Sequence, residues 1–348
     1  MNAGHIHRTL RRKRVLAVLL LCLFSFSPFC PLSLHAQSRL KKFWTKVDNV
    51  LAERYYRTSY DTNYVVRPEG RWTLKLKGNQ TGNSIHAKGT INEVYSRADL
   101  STSHKTTISI AAGYRGISAS YSINPAKLKG SYEDYELNVN YYGSRVSLDA
   151  SYQRSTSMSG NIERGAGKSR MEQEDVKMKV FNIAAYYCFN HRKFSFPAAF
   201  NQSYIQRRSA GSWLAGVSYQ GGSIHTTDEL KLRRPEAPVV TIKFGHLGIG
   251  GGYGYNLVLW KKLLLHLSVL PTFVVYNRNK IVINEESRSV GSVRFNMLFN
   301  EHAAIVYNIS PRYFVGATLV MTNSLSNDKD IVINQNKWIG RAFVGVRL

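Results

Sequence analysis

The chain has 348 residues, 43% of them hydrophobic and 20% charged, with 47 Lys and Arg against 22 Asp and Glu and a formal charge of +25. No stretch reaches the ~18 apolar residues that a membrane-spanning helix needs, so a helical membrane protein is excluded. Length alone would allow two or three domains, but large barrels of this size are single domains.

The first residues read as an address. Arg8, Arg11, Arg12, Lys13 and Arg14 form a positive n-region, Val15 to Phe24 an apolar h-region, and Leu34-His35-Ala36 a cleavage site before Gln37. A short buried helix would leave the flanking charges unexplained, so residues 1–36 are expected to be a secretory signal peptide. Its removal takes five basic and no acidic residues, lowering +25 to +20. Cys30 follows Pro28-Phe29 rather than small residues, which argues against a lipid anchor. Cys22 and Cys30 leave with the signal, so Cys188 stands alone and the mature chain has no internal disulfide. An exported, strongly basic chain points away from nucleic acid and toward anionic headgroups, a periplasmic polyanion or a small anionic solute.

Residues 37–60 are expected to be a periplasmic amphipathic helix and linker. Leu40, Phe43, Trp44, Val47, Val50 and Leu51 recur at helical spacing, with Arg39, Lys41, Lys42 and Lys46 elsewhere. Such a helix packs on the body of the protein, lies on a membrane or covers a barrel mouth.

From residue 61 to 348 the period changes to two. Leu74 and Leu76 alternate with Lys75 and Lys77, Leu137 and Val139 with Glu136 and Asn138, Leu148 and Ala150 with Ser147 and Asp149. Repeated dyads of this kind are the mark of an all-β, antiparallel transmembrane barrel. Short connections (Arg115-Gly116, Gly143-Ser144, Asn190 to Lys193, Trp260 to Lys262, Asn308 to Arg312) alternate with longer polar ones (79–102, 125–131, 157–174, 225–238, 277–288, 323–335). Outer-membrane barrels separate tight periplasmic turns from long outer loops in this way. About twelve strands follow: 71–78, 103–114, 116–124, 132–142, 145–156, 175–189, 194–222, 241–259, 263–276, 289–308, 312–322 and 336–348. The seventh holds Pro197 and the polar run Gln206-Arg207-Arg208-Ser209, so part of it reads equally as a turned-in loop. The last strand keeps Trp338, Ala342, Val344 and Val346 on one face and Lys337, Arg341 and Arg347 on the other, and it must close on the first strand or leave a free edge.

Asp61-Thr62-Asn63-Tyr64, Trp72-Thr73-Leu74-Lys75-Leu76, Phe194-Ser195-Phe196 and Gln206-Arg207-Arg208-Ser209-Ala210-Gly211-Ser212 resemble an uncharacterised family of exported, barrel-like proteins from Bacteroidetes whose domain has no assigned function. The resemblance implies an outer-membrane setting and carries over no catalytic residue. Terminal Leu348 departs from the aromatic residue usual at the end of such barrels.

The inward face is where a site would lie. Its charges, Lys75, Arg145, Arg294, Arg341 and Arg347 against Glu136 and Asp149, lean positive. They would guide an anion through a wet lumen, or form a salt-bridge network that holds a narrow barrel shut. Gly248, Gly250, Gly252 and Gly254 form an inward row, from strand curvature or from close approach of another segment. Trp72, Tyr114, Tyr141, Tyr152, Tyr186 and Trp260 suit interfacial belts. His266 and Ser268 share a face, but no compact nucleophile motif, metal spacing or cofactor motif is present. The reading is a non-enzymatic outer-membrane barrel, a narrow pore or ligand carrier with a basic lumen. Its expected partners are outer-membrane lipid, lipopolysaccharide, the barrel-insertion machinery and a small anionic solute, with no nucleic acid and no cofactor. A lipid-modifying enzyme, a structural or assembly component of the envelope and a soluble β-rich binding protein remain as alternatives.

Overall fold

The structure, a computed structural model, describes residues 60–91, 93–114, 117–123, 134–235, 239–283, 286–289, 295–327 and 331–348, together with Thr45, Asp48, Asn49, Ala52 and Glu53, which are helical. The expected signal peptide, most of the helix at 38–53 and Arg294 lie outside the described residues. Contacts divide the chain into Met1–Arg57 and Thr58–Leu348, and the second unit is the subject below. No described helix is long and apolar enough to cross a membrane.

The strands run in chain order. They are β1 (Val65–Val66), β2 (Trp72–Ile91), β3 (Val94–Thr102), β4 (Lys105–Tyr114), β5 (Ile117–Ile123), β6 (Tyr135–Tyr142), β7 (Val146–Ser155), β8 (Met158–Arg164), β9 (Gly167–Met171) and β10 (Val176–Cys188). After a short helix α1 (Phe196–Phe200) come β11 (Ile205–Gln206), β12 (Ala210–Thr226), helix α2 (Asp228–Arg233), β13 (Val240–Leu259) and β14 (Leu263–Ile283). The chain ends with β15 (Glu286–Ser289), β16 (Phe295–Asn308), β17 (Tyr313–Asn327) and β18 (Ile331–Arg347).

Antiparallel pairing passes from β6 through β7, β10, β12, β13, β14, β16, β17 and β18 to β2, then from β2 to β4 and β5. The terminal strand does close on the first: β18 pairs with β2 from Ile331↔Gly89 to Arg347↔Thr73. Trp72 and Leu348 exchange two 2.8 Å backbone hydrogen bonds at the end of that ladder. The result is a strongly curled antiparallel sheet.

Burial runs inside out. Leu137, Val139 and Val344 are 50%, 53% and 53% exposed, while Lys75, Gln220, Asn256, Lys337 and Arg347 are buried. The outward face is therefore greasy and the inward face polar, the reverse of a soluble sandwich. The alternation read from the sequence places both faces correctly.

Several strands run past their expected ends. β2 continues through residues read as a loop, pairing with β4 by its first half and with β3 by its second. β8 and β9 form a hairpin that extends β3, within another stretch read as a loop. At this loop end the inside is apolar: Ile85, Leu100, Met158, Met171, Met178, Val180 and Leu230 pack as one cluster.

The seventh expected strand, 194–222, is corrected. β12 begins at Ala210, and the segment before it folds inward as a plug at the end where the short turns lie. Ser195 caps α1 by accepting from the Ala198 N–H at 3.2 Å, and Pro197 sits in the first turn, where its missing N–H costs nothing. Phe194, Phe196, Ala198, Ala199 and Phe200 are all buried. Period two in Phe194-Ser195-Phe196 imitates a strand, but Pro197 and the Gln206–Ser209 run end that pattern.

Candidate functional site

The plug is held by charged side chains aimed at its main chain. Lys75 on β2 donates to the Asn201 carbonyl at 3.2 Å and to Gln202 Oε1 at 2.8 Å. Arg347 on β18 donates to the carbonyls of Gln202 (2.9 Å) and Pro311 (3.0 Å) and to Asn308 Oδ1 (2.9 Å), with its guanidinium 4.3 Å from the Phe314 ring centroid. The two strands that close the sheet thus also pin the plug. Gln202 has φ +58, a left-handed conformation that glycine usually takes after a helix. A side chain is required there, since its oxygen meets Lys75 and its nitrogen donates to the Ala199 carbonyl at 2.7 Å.

The N-terminal segment braces the plug from below. Val65–Val66 pairs with Ile205–Gln206, Arg207 N–H donates to the Tyr64 carbonyl at 2.7 Å, and the Tyr60 hydroxyl lies 3.1 Å from Ser195 Oγ. Burial pushes the pKa of Tyr60 up despite the bond to Ser195, so the hydroxyl stays protonated. The stretches around Asp61, Phe194 and Gln206 meet at this plug, with Lys75 of the fourth stretch pinning it.

Above α1 sits Asp149. Its carboxylate accepts from the Tyr142 hydroxyl at 2.6 Å, from the Asn140 amide and the Tyr186 hydroxyl, and lies 2.8 Å from His302 Nε2. The rings of Phe196 and Phe200 cover His302 at 6.0 and 5.5 Å. A second chain starts at Ser268. Its Oγ is 3.0 Å from His266 Nε2, and His266 Nδ1 is 2.7 Å from Asn256 Oδ1. A carbonyl oxygen only accepts, so Nδ1 carries the proton and Nε2 accepts from the serine. The Asn256 amide then donates to the Ser195 carbonyl at 3.1 Å and Gln206 Oε1 at 3.0 Å. This is the order of nucleophile, base and orienting group of an acyl-transfer relay, but His266 and Ser268 are only 3% and 2% exposed. Three plug rings, Phe194, Phe196 and Phe200, pack on the imidazole.

A further ion pair lies on the inward face. Glu136 meets Lys337 at 3.1 Å and accepts from Thr81 at 3.1 Å and Asn138 at 3.1 Å. Arg341 is half-buried on the inward face of β18. Arg145 is corrected: it lies exposed in the turn between β6 and β7, where its carbonyl accepts from Cys188, and it does not reach the interior. The sequence expectation missed His302, Tyr142 and Asn256, whose grouping depends on strands far apart in the chain, and it set Tyr186 in an interfacial belt, whereas Tyr186 is buried and faces Asp149. No described group of His, Cys, Asp or Glu could hold a metal ion.

The glycine row serves both expected purposes. A Cβ on Gly254 would stand 2.9 Å from the Phe194 ring, so the plug seats on that position. At Gly250 and Gly252 a Cβ would collide with the backbone of β14, which is strand curvature. Between plug and apolar cluster lies a cavity of about 30 Å³, lined by Asn138, Asn182, Gln220 and Asn300 among others. That is room for a water or two. The large open space is elsewhere, a vestibule of about 1240 Å³ below the plug. Arg67, Arg207, Arg208, Lys261, Lys262 and Arg312 line it, with Glu69 as the acidic member. Trp260 and Lys261 enter it from a turn in which both have positive φ, +50 and +58. Strain of that kind in non-glycine residues clusters where side chains have a task.

The chain belongs to the family described as "Domain of unknown function (DUF4421)", whose profile matches residues 59–348. No curated protein matches the sequence. Among solved structures, the outer membrane protease OmpT from Escherichia coli is 9% identical, with 81% of this chain and 97% of that one covered and a TM-score of 0.39. The translocator domain of the autotransporter NalP from Neisseria meningitidis is 9% identical, with 89% and 98% covered and a TM-score of 0.31. The outer membrane protein OprG from Pseudomonas aeruginosa is 8% identical, with 80% and 97% covered and a TM-score of 0.26.

Proposed function

We propose that this DUF4421 chain is a twelve-stranded outer-membrane β-barrel, closed at rest by its own plug, whose basic periplasmic vestibule captures an anionic partner. Short turns and both ends of the sheet lie at the plug end, which supports reading that end as periplasmic. The single observation that carries the reading is the distribution of space. The interior cavity holds a water or two, while the open volume at the plug end is lined by seven basic side chains, Arg347 among them, and one acidic side chain, Glu69. A converging positive surface of this kind concentrates anions. The barrel then acts as a fixed docking point in the outer membrane rather than as a standing pore. The anion-conducting pore suggested by Lys75, Glu136, Asp149 and Arg341 requires a state with the plug withdrawn.

Planar bilayers and cell-wall sacculi, whose peptide stems carry free carboxylates, test the two halves. The purified barrel should be electrically silent and should bind sacculi in a salt-sensitive manner. Arg207→Glu with Arg208→Glu should abolish that binding. Steady anion-selective current from the parent, or binding indifferent to the substitutions, would overturn the reading.

The 3.0 and 2.7 Å contacts of Ser268, His266 and Asn256 favour a second reading, an esterase or acyltransferase uncovered when the plug leaves. A fluorophosphonate probe separates the two. Labelling of the parent that Ser268→Ala abolishes supports the enzyme, and an unlabelled parent removes it.

A further inference from the structure

The outward face of the wall carries a feature that neither the plug nor the vestibule uses. Near the loop end, outward residues fall directly opposite one another across five strands. Arg154 on β7 faces Lys179 on β10, Lys179 faces Ser223 on β12, Ser223 faces Lys243 on β13, and Lys243 faces Lys280 on β14. Like charges directly opposed across strands destabilise a sheet. Here two such pairs, Arg154–Lys179 and Lys243–Lys280, share one row. Lys177 lies one outward position above and Arg278 one below. Among the described residues, no outward position of β7, β10, β12, β13 or β14 is acidic.

The positions beneath the row are apolar or aromatic. Tyr152 and Phe181 face each other directly below Arg154 and Lys179. Gly221 and Gly245 continue that level, and the Tyr219 hydroxyl rises over them toward the basic row. Below come Ile183, Leu247, Val217 and Ile249. Cationic headroom thus stands on an amphipathic tyrosine, laid over the two glycines, and a greasy wall. A ligand that matches it carries several phosphates at one end and acyl chains at the other. The opposite half of the wall differs. There the outward row reads Phe299, Asn323, Asn336, Ser84, and Glu301 accepts from Asn323 at 3.2 Å.

We infer that Arg154, Lys177, Lys179, Lys243, Arg278 and Lys280 form a binding face for the phosphates of a multiply phosphorylated glycolipid in the outer leaflet. The inference rests on the outer-membrane reading above. The repulsion within the row is relieved by the lipid phosphates, so the protein orients one half of its circumference toward that lipid. Each Lys or Arg near such a surface contributes on the order of 1 kcal/mol, so removing three lowers retention about a hundredfold.

The test uses the full chain inserted in phosphatidylcholine vesicles, with bisphosphorylated lipid A, its dephosphorylated form and soluble tripolyphosphate as probes. The parent should retain the bisphosphorylated form and release the dephosphorylated one. Lys179→Gln with Lys243→Gln and Lys280→Gln should lose about a hundredfold in retention, while Lys88→Gln, exposed on β2 in the opposite half of the wall, should lose none. Equal retention of both lipid forms by the parent overturns the inference without any variant. So does an unchanged triple variant, or competition by tripolyphosphate as strong as by bisphosphorylated lipid A, which would assign the row to soluble phosphate. A chain that inserts but retains no lipid A contradicts this inference alone, whereas a chain that does not insert contradicts the barrel reading itself.

Discussion

The two ends of the curled sheet are filled by opposite means. At the turn end, aromatic rings are pinned by Lys75, Arg347 and Asn256, each bonded to main-chain or amide oxygens of the plug. At the loop end, Met158, Met171, Met178 and their neighbours fill the interior as an apolar cluster, with the polar contacts of Asn83 and Asp134 at its margin. Hydrogen bonds are directional and leave unsatisfied groups behind when broken. Flexible methionine side chains repack around a gap. The turn end should therefore open as a unit or not at all, and the loop end should yield gradually.

The strongest way to break that contrast is Phe196→Ala, which removes a buried ring stacked between Tyr142 and His266. It should cost about 3–5 kcal/mol, read as a lowered urea midpoint for the barrel in lipid vesicles, and should bring conductance to an otherwise silent protein. Met178→Ala at the other end should cost about 2 kcal/mol, the low end for such a truncation, because the surrounding methionines can close the space. Conductance should stay absent in that variant. Arg347→Lys keeps the charge but loses the fork that reaches Gln202, Pro311 and Asn308 together, and should cost about 1.5–3 kcal/mol in the same unfolding assay.

Acid should sharpen the contrast at the loop end. Burial alone would raise the pKa of Asp134, but the Ser157 hydroxyl, the Lys105 ammonium, the Ser155 hydroxyl and the Thr156 N–H outweigh it and hold the carboxyl below its ordinary range. A depressed folded-state pKa stabilises above the unfolded value, and that stability is lost as pH falls through the folded one. The loop end should therefore loosen to protease in acid below the ordinary carboxylate range, and Asp134→Asn should remove that pH step. The smallest effect is expected at the exposed Arg97–Asp99 pair, 2.7 Å apart but open to solvent. Arg97→Ala should leave the urea midpoint unmoved, because screened surface pairs contribute little.

The dyad pattern made the wall legible because outward-facing and inward-facing residues alternate at every step, and Leu137, Val139 and Val344 could be assigned to a side from spacing alone. The extensions of β2 and the β8–β9 hairpin were not, since polar strands beyond the apolar band look like polar loops. Met158 and Met171, at the ends of that stretch, were the available signal. The plug was half legible: Pro197 and the run Gln206-Arg207-Arg208-Ser209 argued against a strand, while Phe194 and Phe196 imitated one. The His266 and Ser268 pair was visible as two residues on one face. Its third member Asn256 and the contact of His302 with Asp149 arise from registers between separate strands, which no local pattern encodes. Arg145 was misplaced because a turn one residue longer than expected takes it out of the dyad.

In the outer-membrane reading, alternate residues of each strand meet hydrocarbon while their neighbours meet a filled interior. Spin labels on Leu265→Cys, Leu267→Cys and Val269→Cys, with the barrel in lipid vesicles, test it most directly. The account predicts that dissolved oxygen reaches all three labels and a water-soluble nickel chelate reaches none. Labels relaxed by the chelate and shielded from oxygen would place that face in water or inside a protein core, and would contradict it.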